Sequence, residues 1–260
     1  VPIADEFQAD PTKADLLREL GLNAETVFTD SRIKVWRSLP DRENATLDHL
    51  LGDGSAVRLH IKRYPASAGF MADQEVAGFK RLSSAGIPCA PIIANGKRAD
   101  GSSFIILEDL ADYTPADKLI ESGFPLERLL TATADLAALL HDRRLHHRDL
   151  YLCHFMIKPL LDSVDAKLID MARVARLDNP LTRRRWIIKD LAQFWYSTHS
   201  VRITDMQRER WLLRYCETRK IFMDRLLEPI KRKSDAIARH DAKLRKQQPK
   251  RNISIGEQIP

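Results

Sequence analysis

His146-His147-Arg148-Asp149-Leu150-Tyr151-Leu152-Cys153-His154-Phe155 is the stretch on which the reading of this chain turns. Twenty-one residues after Asp149 comes Leu168-Ile169-Asp170, a short apolar run that ends in a second carboxylate. A carboxylate in a loop, followed by one at the end of a short strand, is the arrangement of phosphoryl transfer. The first accepts or orients the proton of an acceptor hydroxyl, and the second holds Mg²⁺ against the phosphates of ATP. His-Arg-Asp alone is a weak signal, because charged tripeptides are common on surfaces. Its neighbours, and their order, carry the argument.

Working outward, Phe155-Met156-Ile157 reads as a short strand, and Ala166 to Ile169 can pair with it as a hairpin. That pairing would put Asp149 and Asp170 at one end of a small sheet. Upstream, Leu126, Leu129, Leu130, Thr133, Leu136, Ala137 and Leu140 keep a helical stripe that delivers the loop. Further upstream the chain alternates polar and apolar residues over Arg32–Arg37 and Ala56–Tyr64, with a possible strand at Ala45–Leu50 and turn chemistry at Gly52–Ser55. Lys62 ends the second alternating run and is the candidate phosphate ligand. Glu75, in a helical stretch over Met71–Ser84, is its candidate ion-pair partner. Ile92–Ala94 and Ser103–Leu107 read as strands joined by the Gly96 to Gly101 turn. Glu108-Asp109-Leu110-Ala111 follows them, where a hinge would offer its backbone to the nucleotide base.

After Asp170, Arg173, Arg176 and the run Arg183-Arg184-Arg185 form a basic region on the expected acceptor side. A helix is expected over Trp186–Ser197, with Asp190 bracing the catalytic loop from below, and an amphipathic helix over Asp205–Leu227. A glycine-rich phosphate loop is missing: residues 37 to 46 occupy its place, with Arg42 the nearest spare charge.

Composition sets the class. At 260 residues and 44% hydrophobic content the chain can build two lobes around a cleft. No apolar run approaches the length of a membrane span. No signal-peptide pattern opens the chain, and its Val1-Pro2 start without Met leaves an upstream piece to be expected. Cys89, Cys153 and Cys216 are sparse and far apart, which gives neither a disulfide framework nor zinc spacing and suits a reducing cytoplasm. The net charge is +6, of which Lys231–Arg251 alone holds +7, so the basicity belongs to the C-terminal segment. That segment has no aromatic residues to stack bases, so no specific nucleic-acid partner is expected.

These features give an α+β, two-lobed, protein-kinase-like fold, with a small antiparallel β-sheet N-lobe and a mainly helical C-lobe. The expected divisions are an N-terminal lead-in at 1–30, the N-lobe at 31–110, the C-lobe at 111–230 and a basic tail at 231–260. That tail is expected to be a helix fraying into disorder after Gln247.

The run His147-Arg148-Asp149-Leu150-Tyr151-Leu152-Cys153-His154-Phe155 resembles the lipopolysaccharide core kinases of the Kdo/WaaP family, which carry a Tyr and a Cys-His-Phe element after the His-Arg-Asp. Protein kinases have Lys and Asn there instead. The Asp170 strand and Lys189-Asp190-Leu191-Ala192 are also similar to this family, over roughly residues 30 to 220. The resemblance implies ATP-dependent phosphorylation of a heptose or Kdo hydroxyl of the lipopolysaccharide inner core, or of a lipid A-linked sugar. It implies Asp149 as catalytic base, Asp170 as Mg²⁺ ligand, Lys62 and Glu75 at the nucleotide, and His154 in the family His position. An imidazole there can take a metal or a phosphate oxygen. A peripheral enzyme on the cytoplasmic face of the inner membrane, meeting its anionic surface through the basic tail, is the matching localisation. Two other readings share the fold. One is a small-molecule phosphotransferase, which usually has Gly where Arg148 stands. The other is a pseudokinase scaffold, favoured by the missing glycine loop and opposed by the intact Lys62, Asp149 and Asp170.

Overall fold

The computed structural model describes residues 5–247. In chain order the elements are β1 (Glu6–Ala9), α1 (Ala14–Leu20), α2 (Thr26–Thr29), β2 (Lys34–Ser38), β3 (Glu43–Leu50), β4 (Ala56–Tyr64), α3 (Gly69–Ser84), β5 (Ile92–Lys97) and β6 (Ser103–Glu108). There follow β7 (Thr114–Pro115), α4 (Ala116–Glu121), α5 (Leu126–Asp142), β8 (Leu145–His146), β9 (Phe155–Pro159), β10 (Val164–Leu168) and β11 (Ala175–Arg176). The chain closes with α6 (Pro180–Ser197), α7 (Asp205–Thr218) and α8 (Leu227–Gln247). Contacts divide it into two compact units. One runs up to Lys80 and includes Ala90–Ala111; the other holds Arg81–Cys89 and the chain from Asp112.

The first unit is a six-stranded antiparallel sheet in the order β1-β5-β6-β4-β3-β2. Alternation in β4 sends Leu59 and Ile61 into a core with Leu47, Ile93, Phe104 and Ile106, while α1 and α2 cover it with Leu17, Leu20 and Val27. α1 stops where Gly21 takes a left-handed conformation (φ 69°). The sheet has one more strand than the sequence shows. The lead-in contributes β1, four residues with almost no alternation, which pairs with β5 from Glu6↔Lys97 to Ala9↔Ala94. Gly96 permits that pairing. A Cβ there would fall 2.0 Å from the Glu6 carbonyl oxygen and 2.7 Å from Phe104 Cζ.

The second unit is mainly helical. α5 buries Leu129, Leu130, Leu136 and Leu140. Phe194 of α6 stacks on Trp211 of α7 at 3.8 Å, and the Trp211 indole donates to Thr133 Oγ1 (3.1 Å). The hairpin of β9 and β10 pairs Ala166 with Ile157 and Leu168 with Phe155, as its sequence implies, and β7 adds a third strand.

Three boundaries differ from expectation. α6 starts at Pro180, capped by the Asn179 side chain on the Leu181 amide (2.9 Å). It therefore takes in Arg183–Arg185, which lie before the helix expected over Trp186–Ser197. The helix expected over Asp205–Leu227 breaks after Thr218, where Lys220 has φ 54° and no Gly or Pro announces the turn. Up to Gln247 the basic segment is the body of α8, which packs on α6 and buries Ile230 and Ser234. The expected fraying after Gln247 lies outside the described residues.

Two expectations for stability follow. Gly96→Ala should cost about 1–3 kcal/mol by overpacking the β1–β5 edge, read as a lower urea midpoint. An unchanged midpoint would mean that β1 is not held there. His60 sits in β4 with its ring 5.8 Å from Trp36, and burial, helped by Lys62, pushes its pKa down to about 3. The unfolded chain binds that proton near the ordinary value of 6.5, the folded one only far below it. Stability should thus fall as pH drops from 7.5 to 5, by on the order of 1–2 kcal/mol from this residue. His60→Gln should flatten that slope in urea titrations at the two pH values.

Candidate active site

The loop between β8 and β9 is held from beneath by α6. Asp190 is fully buried, and its two oxygens accept the backbone amides of His147 (2.7 Å) and Arg148 (2.8 Å). Its Oδ2 also takes His141 Nε2 at 3.3 Å, and His141 Nδ1 accepts from the Tyr215 hydroxyl (2.7 Å). Burial works against the Asp190 charge. The His141 contact, the nearby imidazoles and the His147 amide outweigh it and hold its pKa below the ordinary carboxylate value. Burial keeps His141 and His147 low as well, and His146 at about 4, so the rings around this carboxylate are neutral at pH 7.

The clamp fixes a strained backbone. Arg148 has φ 70°, a left-handed conformation that costs a residue with a Cβ about 1 kcal/mol or more. Its carbonyl accepts from Lys189 Nζ (2.7 Å) and Gln193 Nε2 (2.8 Å), so the peptide units on both sides of this residue are bound by α6. Its guanidinium lies 4.8 Å over the Trp186 ring. The next residue, Asp149, is thereby aimed outward. Its carboxylate receives Arg173 Nη1 at 3.3 Å and Gln193 Nε2 at 3.4 Å. Leu152 N–H is bound by Ser197 Oγ (2.8 Å).

Asp170 follows β10 and is itself left-handed (φ 63°). Two bonds tie the hairpin to the loop and a third closes the loop on itself. His147 Nε2 donates to the Ile169 carbonyl (3.0 Å), the Ile169 amide donates to the His154 carbonyl (3.1 Å), and His154 Nδ1 donates to the Asp149 carbonyl (2.7 Å). His154 Nε2 is 3.8 Å from Asp170 Oδ2. Asp149, His154 and Asp170 are thus brought together. Burial disfavours a charge on His154, but Cys153, the Asp170 carboxylate and the Asp149 carbonyl push its pKa up to about 9. Among the described residues no cluster of three or more side chains of His, Cys, Asp or Glu could hold a metal. Asp170 suits an ion that keeps waters and takes phosphate oxygens for the rest of its shell, which is the habit of Mg²⁺.

In the other unit, Lys62 of β4 pairs with Glu75 of α3, and the Tyr64 hydroxyl donates to the same carboxylate. The Glu75 side chain is only 2% exposed and that of Lys62 11%, so this is an interior ion pair. Neither group is a solvated surface charge. Two carboxylate oxygens, one cation and one hydroxyl satisfy one another there. Glu108 ends β6 with its carboxylate exposed, 3.9 Å from Lys13, and its amide donates to the Pro91 carbonyl (3.0 Å).

Sequence reasoning passed over Tyr64, Gln193 and Ser197, and gave Lys189 no role. A signal existed for three of them. Lys189, Asp190, Gln193 and Ser197 are polar at helical spacing on a face of α6 that is otherwise buried. No pattern pointed to Tyr64.

Comparison with known proteins agrees with this geometry. Residues 30–215 match the model of the lipopolysaccharide kinase (Kdo/WaaP) family. The chain is 30% identical to the lipopolysaccharide core heptose(I) kinase WaaP of Pseudomonas aeruginosa over 185 residues, 64% of this chain and 68% of that protein. It is 31% identical to the Escherichia coli K12 protein of the same name over 156 residues, 54% of this chain and 57% of that one. A solved structure, WaaP in complex with acyl carrier protein, matches with a TM-score of 0.67 at 28% identity, covering 89% of this chain and 98% of that chain. The α+β, kinase-like fold expected from the sequence is the fold of that relative. The chain belongs to the lipopolysaccharide kinase (Kdo/WaaP) family and is a sugar-directed kinase.

Proposed function

We propose that this kinase transfers the γ-phosphoryl group of ATP to a hydroxyl of a heptose or Kdo sugar in the lipopolysaccharide inner core. The observation that carries the reading is the loop clamped by Asp190, which presents Asp149 beside Asp170 and His154. Asp149, steadied by Gln193 and Arg173, orients the acceptor hydroxyl and takes its proton as the oxygen attacks phosphorus. Lys62, held by Glu75, binds the phosphates, and the Glu108 region offers backbone to the base. Asp170 would hold Mg²⁺, which would neutralise the charge of the phosphates when bound. His154, 3.8 Å from Asp170, would meet either that ion or a phosphate oxygen beside it, the two roles its place in the sequence allows. The heptose(I) acceptor of the named relatives is the leading choice of sugar.

A peripheral place on the cytoplasmic face of the inner membrane belongs to the same proposal. The acceptor is anionic and lipid-linked, and α8 carries Lys231, Arg232, Lys233, Arg239, Lys243, Arg245 and Lys246. No helix of the described residues is long and apolar enough to cross a membrane. A carrier-protein partner, as in the solved WaaP complex, is extended to this chain on the likeness alone.

The test is incubation of purified protein with ATP, Mg²⁺ and core lipopolysaccharide, with the product mass checked for one added phosphate. Asp149→Asn should lower kcat by about 10²- to 10⁴-fold with little change in nucleotide binding. Lys62→Ala should raise the KM for ATP, and Asp170→Asn should raise the Mg²⁺ concentration needed for half-maximal rate. No phosphate transfer by the unaltered protein to core lipopolysaccharide would reject the reading.

A further inference from the structure

A shallow, open groove of about 700 Å³ runs along α6 beside α8, lined by Leu181, Arg184, Arg185, Trp186, Ile188, Lys189 and Lys233. Four of the seven are cations and none is a carboxylate. Residues 181, 184, 185, 188 and 189 form one helical stripe of α6, so cations and apolar groups alternate along a single wall. Arg184, Arg185 and Lys233 are exposed, and Leu181 is 91% exposed. Such a wall suits a ligand that is strongly anionic and partly apolar.

The groove is physically joined to the catalytic loop. The Trp186 ring has Arg148 at 4.8 Å, Arg185 at 5.6 Å and Lys189 at 5.6 Å from its centroid, and it packs against His146 at 4.9 Å. Lys189 also donates to the Arg148 carbonyl, one residue from Asp149. Arg148 Nε is buried without a hydrogen-bond partner. The lining of the groove thus touches the peptide unit that aims the catalytic carboxylate.

We propose that this groove is an acceptor exosite. It would hold a phosphate- or carboxylate-bearing portion of the glycolipid acceptor while the sugar to be phosphorylated reaches Asp149. The proposal rests on the reading of the acceptor as core lipopolysaccharide. A concave site of this volume fits one or two charged sugars, whereas a flat basic face would suit a bilayer. Arg185 and Arg184 can grip phosphate or carboxylate in two-pronged fashion, and Lys189 and Lys233 add point charges.

The double variant Arg185→Glu/Lys233→Glu reverses two exposed charges and spares Arg184, whose guanidinium donates to the Arg225 carbonyl (2.9 Å). Its KM for core lipopolysaccharide should rise by about tenfold or more, with KM for ATP and kcat at saturating acceptor within about twofold of wild type. Binding to phosphatidylcholine vesicles carrying lipopolysaccharide should fall alike, while binding to vesicles carrying phosphatidylglycerol instead should fall clearly less, since the other cations of α8 remain. Arg185→Lys with Lys233 intact keeps the charge but not the two-pronged grip, and should raise that KM by less than the double variant does. An unchanged lipopolysaccharide KM would overturn the proposal. Equal loss of phosphatidylglycerol binding would overturn it in favour of a membrane-facing patch. Loss of binding to acyl carrier protein at unchanged lipopolysaccharide KM would overturn it in favour of a protein dock. If wild type transfers no phosphate, the functional reading fails, but the vesicle comparison still decides whether the groove binds this glycolipid.

Discussion

The site depends on a single buried carboxylate. Asp190 has no access to solvent, and its charge is tolerable only because two backbone amides and an imidazole replace the water it lost. The exchange works in both directions. The amides of His147 and Arg148 lie where the chain is neither helix nor strand, and without an acceptor they would be orphaned in the interior. Holding both at once selects the left-handed conformation at Arg148 and so decides where Asp149 points. Tyr215 and His141 extend the arrangement, and Arg219 Nη1 donates to the Tyr215 oxygen (2.6 Å) near the surface. The conformation of this half-buried loop thus rests on the helices beneath it.

The sheet unit is built on a different principle. Lys62 and Glu75 form an ion pair in its interior, with Tyr64 as an added donor. Such a pair adds little to stability, since both charges were removed from water to make it. Its value is positional: the carboxylate, itself held by a hydroxyl, keeps the ammonium in one place.

The sequence made the catalytic loop readable because its chemistry is local. His147, Asp149, His154 and Asp170 are separated by short spans of loop and hairpin, so spacing nearly fixes their geometry. Lys62 was readable because it lies near the end of an alternating strand that is followed by a helix carrying Glu75. What stayed hidden came from tertiary structure. β1 has almost no pattern, and it is a strand because β5 offers an edge with a glycine at the close approach. Arg183–Arg185 carry no apolar periodicity of their own, and they are helical because the Asn179 cap and Pro180 start α6 ahead of them. The break at Lys220 has no local cause in its residue types. Tyr64 was missed because a tyrosine ending a strand is ordinary, and only its distance in space from Glu75 gives it a role.

The left-handed Arg148 has a consequence for how such sequences can diverge. Glycine would suit the backbone at that position better, so keeping an arginine means tolerating strain for the sake of its side chain. That side chain lies on Trp186, whose ring also has Arg185 and Lys189 at 5.6 Å, so Arg148 joins the loop to a cluster of cations around one aromatic ring. A lineage with glycine at position 148 would relax its loop and give up the closest of those cations. Its remaining tie to the α6–α8 wall would be the Lys189 ammonium on the carbonyl of residue 148.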